Sequence, residues 1–162
     1  KNFEELVVSD IDKDVLQKII SKLSESQKSR VKTRVFDITK KFPFKEKSFG
    51  GVFCTGTIHL FSKETIEKIL DEIGRILKPK GKIIFDFATD ITRTDVNGKN
   101  VRLKNTNHYT TGEAKGFLTN LLKNYKLRIY KSTFIDDLRK EQKYGFITRG
   151  NFLLFVAEKK EN

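Results

Sequence analysis

The run Phe49-Gly50-Gly51-Val52-Phe53-Cys54-Thr55-Gly56 and the helix-turn-strand pattern directly after it constrain the fold more than any other part of the chain. A short strand-like segment, read over Gly51 to Thr55 as buried, ends in a glycine. Lys63 to Leu77 then carries Ile66, Ile69, Leu70, Ile73 and Leu77 at helical spacing. Lys78-Pro79-Lys80-Gly81 stops that helix, since proline cannot continue it and glycine lets the chain turn. Lys82 to Phe87 is a near-continuous apolar run, as expected of a strand covered on both faces. Strand, loop, helix, tight turn and strand form a unit of the kind that builds parallel sheets.

The rest of the chain extends the alternation. Phe3 to Ser9 reads as a strand, and Asp10 to Asp14 opens a helix with Val15, Leu16, Ile19, Ile20 and Leu23 inward. The polar segment Ser24 to Ser29 ends that helix, Val31 to Phe36 is a second strand, and Pro43 lies in the loop after Asp37. Beyond Asp90, Asn97-Gly98 between two strand-like runs predicts a β-hairpin insertion over 91–103. Tyr109 and Thr110 precede a helix over Gly112 to Lys123, with Phe117, Leu118, Leu121 and Leu122 inward. Lys126 to Phe134 and Asn151 to Glu158 are the last strands, expected to pair antiparallel at the sheet edge. No repeat or linker interrupts the 162 residues, which read as one domain by size.

Chemistry enters at the strand ends. Asp10 closes the first visible strand, where an acidic residue of a doubly wound sheet accepts hydrogen bonds from a ribose diol. The same aspartate is also suited to capping the helix beyond it, although Asp12 is the better cap. Asp37 closes the second strand, where an aspartate is suited to capping the turn that follows. There is no P-loop and no Cys-x-x-Cys or His/Glu cluster with metal-ligand spacing.

Three segments carry a family likeness: Val7-Val8-Ser9-Asp10-Ile11-Asp12; Val35-Phe36-Asp37-Ile38 with Phe42-Pro43-Phe44 and Ser48-Phe49; and Gly74-Arg75-Ile76-Leu77-Lys78-Pro79-Lys80-Gly81. Together they resemble the class I S-adenosylmethionine-dependent methyltransferases, especially the small stand-alone members. The resemblance implies an α/β, Rossmann-like methyltransferase sheet, mostly parallel, with an antiparallel C-terminal hairpin whose last strand inserts beside the fifth. It implies S-adenosylmethionine as cofactor, while the lack of a ligand cluster in the sequence argues against a metal. Asp10, with Ile11 beside it, would hold the ribose; Asp37 would reach the adenine amino group, with Ile38 on the ring. The backbone of Cys54, Thr55 and Gly56 would pass the methionine part. His59 would face the transferred methyl group and accept a proton, unless it is only a polar residue at a helix start. His108 and Tyr109 would line the acceptor pocket. The acceptor expected first is a small or modest-sized molecule.

Two departures from the pattern matter. Gly50 stands where most members carry an aspartate, and the Gly-x-Gly-x-Gly loop that succeeds the family's first strand is missing. That strand is central in the family sheet and pairs with the second and fourth. The expectation is therefore a further segment of about 40–50 residues ahead of Lys1, holding the strand and the loop. The alternative from another class is a degenerate, non-catalytic subunit that keeps the fold as a binding scaffold.

Composition adds partners and setting. After residue 90, 15 Lys+Arg stand against 7 Asp+Glu, which keeps an RNA or other polyanionic acceptor open beside a plain solvated lysine-rich surface. High lysine and glutamate content with one Cys, no Met and no Trp fits a thermophile. A single cysteine excludes an internal disulfide and argues for a cytoplasmic setting. No apolar run approaches the roughly 18 residues of a membrane span.

Overall fold

Runs of β-branched residues become strands and spaced isoleucines become helices in the computed structural model, which describes residues 5–102, 107–137 and 145–161. Two compact units divide the chain, Lys1–Phe44 and Lys45–Asn162.

In the first unit, β1 (Leu6–Asp10) runs parallel to β2 (Val31–Val35), with Leu6 opposite Val31 and Asp10 opposite Val35. Between them α1 (Lys13–Ser21) is capped by Asp12, whose carboxylate accepts the Asp14 N–H at 2.8 Å. Leu16 is buried, whereas Val15 and Ile19, expected inward, are exposed. Ser24 to Ser29 does more than end α1. Ser24 and Gln27 form a capping box, which satisfies the free N–H groups of a separate turn, α2 (Glu25–Lys28). Phe36 packs its ring against Phe42 and Phe44, with centroids 5.1 and 5.5 Å away. This cluster closes the small unit beyond β2.

The second unit runs β3 (Phe49–Cys54), a 3-10 turn (Ile58–Leu60), α3 (Lys63–Ile76), β4 (Leu77–Asp95), α4 (Thr111–Leu121), β5 (Tyr125–Asp137) and β6 (Phe146–Lys159). Its strands lie in the order β3–β4–β6–β5. β3 and β4 are parallel, and β6 is antiparallel to both of its neighbours. The last strand thus inserts between β4 and β5, the arrangement expected of an α/β methyltransferase sheet. Ile83, Phe85 and Phe87 of β4 and Leu153, Phe155 and Ala157 of β6 are buried, with the Phe85 and Phe155 rings stacked at 4.9 Å. α3 packs on β4, and α4 packs on β4 and β6. The α3 stripe of Ile66, Ile69, Leu70, Ile73 and Ile76 is buried, each side chain contributing about 1.5–3 kcal/mol.

Three local expectations are corrected. β4 is not covered on both faces: Ile83, Phe85 and Phe87 are buried while Lys82 is exposed and Ile84 and Asp86 are half-buried, so burial alternates with the strand period. β3 is likewise not a buried strand, since Phe53 is 72% exposed. The hairpin about Asn97-Gly98 is present, but its first arm is the end of β4 and not a separate inserted strand. β4 continues to Asp95 because its end has a partner in β6, up to Asp95 opposite Phe146. The turn then falls on 95–98, with Gly98 at φ 77° and a bridge from Thr94 to Asn100; Leu103 lies outside the described residues. Among the described residues β1 pairs only with β2 and β3 only with β4, so each keeps one edge without a strand partner.

Candidate functional site

Parallel strands place ligands at their carboxyl ends, and the candidate residues gather at such ends in both units. In the first unit, the pairing of Asp10 with Val35 brings Asp10 and Asp37 to neighbouring strand ends. The Phe36 N–H donates to the Asp10 carbonyl at 3.2 Å and continues the ladder to Asp37. One carboxylate oxygen of Asp10 accepts the Asp12 N–H at 2.9 Å. One oxygen of Asp37 accepts both the N–H and the hydroxyl of Thr39, at 2.8 and 2.7 Å. These bonds, the hydroxyl first, hold the Asp37 carboxyl below its usual range. Each aspartate is thereby oriented through a single oxygen. Ile11, beside Asp10, is 68% exposed, while Ile38 is half-buried.

In the second unit, β3 ends at Cys54 opposite Phe85. The chain then enters a left-handed turn at Gly56, φ 65°, where a side chain would be strained. The Gly56 N–H donates to the carboxylate of Asp86 at 2.7 Å. Burial, first, and the Asp86 charge push the Cys54 thiol up to about 11, with the nearby Thr57 hydroxyl acting the other way. Cys54 is therefore a neutral thiol at physiological pH. His59 sits in the 3-10 turn, its ring edge-on to Phe87 at 6.1 Å. Its Nδ1 is buried without a hydrogen-bond partner. Burial lowers the His59 pKa, and the Asp86 charge partly offsets that.

Tyr109 and His108 are differently placed. Tyr109 is 9% exposed, packs its ring on Phe87 at 5.1 Å and donates its hydroxyl to the Phe61 carbonyl at 2.7 Å. Asn107 donates to the Leu60 carbonyl at 2.8 Å. Residues 107–109 thus clamp the turn that carries His59. His108 is exposed.

A second group is not visible as a site in the sequence. Asp90, at φ 51°, accepts hydrogen bonds from the N–H and hydroxyl of Thr111 and from the Asn151 amide, the last at 2.7 Å. Its own N–H donates to the Tyr109 carbonyl at 2.8 Å. These bonds, the Thr111 hydroxyl first, hold the Asp90 carboxyl below its usual range. The knot ties the break in the β4–β6 ladder, between Thr89 and Thr92, to the start of α4. Sequence reasoning also passes over Asp86, although a carboxylate inside Ile83-Ile84-Phe85-Asp86-Phe87 is itself a signal.

Among the described residues no group of three or more His, Cys, Asp or Glu side chains is arranged to hold a metal ion. No helix among them is long and apolar enough to cross a membrane.

Compared with solved structures, the chain is similar to a SAM-dependent methyltransferase from Methanosarcina mazei, at 14% identity and a TM-score of 0.60, covering 98% of this chain and 83% of that one. It is similar to an S-adenosylmethionine-dependent methyltransferase from Mesorhizobium loti, at 13% identity and a TM-score of 0.63, covering 96% and 81%. A complex of DhpI with SAH gives 16% identity and a TM-score of 0.59, covering 98% and 68%. At such identities the likeness is one of fold. No curated protein sequence gives a significant match. The family model described as the methyltransferase domain matches residues 1–85, which hold both aspartate-bearing strand ends and the turn of His59, and on that match the chain belongs to the methyltransferase domain family.

Proposed function

We propose that this chain transfers the methyl group of S-adenosylmethionine to a small or modest-sized acceptor. The observation that carries the reading is the family match over residues 1–85, with Asp10 and Asp37 oriented at adjacent parallel strand ends inside it. The SAH found with one structural neighbour supports the same cofactor class. The residues fit such a ligand. Asp10 and Asp37 each use one oxygen locally and keep acceptor capacity on the other, and exposed Ile11 offers an apolar contact beside Asp10.

When bound, the cofactor supplies a sulfonium-activated methyl group, so the protein's task is alignment more than activation. Asp10 would accept the ribose hydroxyls and Asp37 the adenine amino group, with Ile38 against the ring. The turn of Cys54, Thr55 and Gly56 would offer backbone to the methionine part, and Gly56 has open space where a Cβ would stand. His59 is neutral at neutral pH because burial lowers its pKa. It can then take the proton of an acceptor O–H or N–H as the acceptor oxygen or nitrogen bonds to the methyl group. Incubation of the protein with methyl-labelled S-adenosylmethionine and separate metabolite and RNA fractions tests the reading. Label in the metabolite fraction is expected; label in neither fraction would remove it.

A second reading makes RNA the acceptor. It is favoured by the basic excess after residue 90, where Arg128, Lys131 and Arg149 are exposed on β5 and β6. Its mark is an affinity for RNA that falls steeply with salt, because neutralised phosphates release counterions.

A further inference from the structure

We infer that Asp86 is a positioning residue, whose carboxylate holds the Gly56 turn in place and supplies the negative charge against which the buried His59 ring can take up a proton. The role in proton uptake rests on the methyl-transfer reading above; the hold on the turn does not.

The placement comes from strand register. β3 ends at Cys54, opposite Phe85, and Asp86 is the next residue of β4. Phe85 and Phe87 turn into the core, so Asp86 projects from the other face, level with the chain that leaves β3. There it accepts the Gly56 N–H at 2.7 Å, across 30 residues of sequence. A charge-assisted bond of that length is among the stronger kinds. It fixes a glycine whose φ of 65° is not set by any side chain of its own. The turn is completed by the Thr57 hydroxyl, which donates to the Thr55 carbonyl at 2.9 Å. His59 comes two residues later, with Nδ1 buried and unpartnered.

A buried imidazole resists protonation, since burial penalises its charged form. Among the described residues Asp86 is the charged group that acts on His59, and its sign opposes that penalty. Cys54 and Tyr109, the titratable groups nearest this ring and turn, are neutral at physiological pH. Burial raises the Cys54 thiol to about 11. Burial, first, with Glu64 and Glu113, raises the Tyr109 phenol, which shares the Phe87 ring with His59.

Two variants separate the geometry from the charge. Asp86→Asn keeps an oxygen that can accept the Gly56 N–H but loses the charge. Asp86→Ala loses both. The readouts are amide hydrogen exchange at Gly56 and the proton NMR titration of His59, one of two histidines, assigned with a His59→Gln variant. In Asp86→Ala, exchange at Gly56 should accelerate by at least about tenfold. In Asp86→Asn, Gly56 should stay protected while the His59 midpoint moves down, and the acid limb of the methyl-transfer pH profile should move down with it. An unchanged His59 titration in Asp86→Asn would reduce Asp86 to a loop staple and overturn the inference. Unchanged exchange in Asp86→Ala would overturn the hold on the turn. A shifted titration in a protein that transfers no methyl group would leave the positioning in place and remove the methyl-transfer reading instead.

Discussion

Tyr109→Phe separates a clamp from a pocket residue with one oxygen atom. In the structure the Tyr109 hydroxyl is spent on the Phe61 carbonyl at 2.7 Å, and the ring lies against Phe87. The substitution keeps the ring and removes the hydroxyl. A typical intramolecular hydrogen bond contributes about 0.5–1.5 kcal/mol net, and a stranded buried acceptor costs about 1–3 kcal/mol. Phe61 is half-buried, so water can reach part of its carbonyl environment and the loss should stay near 1 kcal/mol. That is roughly a fivefold fall in the folded-to-unfolded ratio. Tyr109→Ala also removes the ring, and should cost about 3–5 kcal/mol. Urea unfolding of both variants, followed by circular dichroism, reads the two losses. If Tyr109→Phe is as stable as the parent but raises the KM for acceptor, the hydroxyl serves the acceptor and the clamp is wrong.

Three further outcomes are expected. Asp90 has a folded-state pKa below its unfolded value near 3.9, so its contribution is complete above that value and is lost as pH falls through the folded pKa. The stability gap between parent and Asp90→Asn should therefore be constant above about pH 5 and shrink in acid; a gap that widens in acid would reverse the assignment. A Cβ on Gly150 would lie 2.9 Å from the Thr89 carbonyl oxygen and 3.0 Å from the Phe134 ring, so Gly150→Ala should cost about 1–3 kcal/mol in urea unfolding. Cys54, with its thiol near 11, should be alkylated slowly at pH 8, where about one molecule in a thousand is thiolate, and the rate should climb up to pH 11.

The elements with strong periodicity are legible in the chain alone. The α3 stripe repeats every three to four residues, and no other structure satisfies that spacing. The insertion of β6 between β4 and β5 is not legible from periodicity, because pairing partners leave no mark on a single strand; it comes through the family likeness. The end of the β4 strand is misplaced for the same reason, since Phe146 to Arg149 extend its ladder from the far end of the chain. At the site, Asp12 is readable as a cap because its bond is local. The Asp90 knot is unreadable because its partners lie 21 and 61 residues away. Tyr109 stands out by its position, yet its bond to Phe61 spans 48 residues.

Calorimetric titration of S-adenosylmethionine into the full-length protein and its Asp10→Ala variant tests the central claim most directly. Asp10 is oriented by its bond from Asp12 and should hold ribose hydroxyls with the remaining oxygen. Hydrogen bonds to a charged group contribute about 1.5–3 kcal/mol, so the variant should bind about ten- to a hundredfold more weakly. Saturable binding by the parent with that loss in Asp10→Ala is the predicted result. No binding by the full-length parent, or equal affinity in the two proteins, would contradict it.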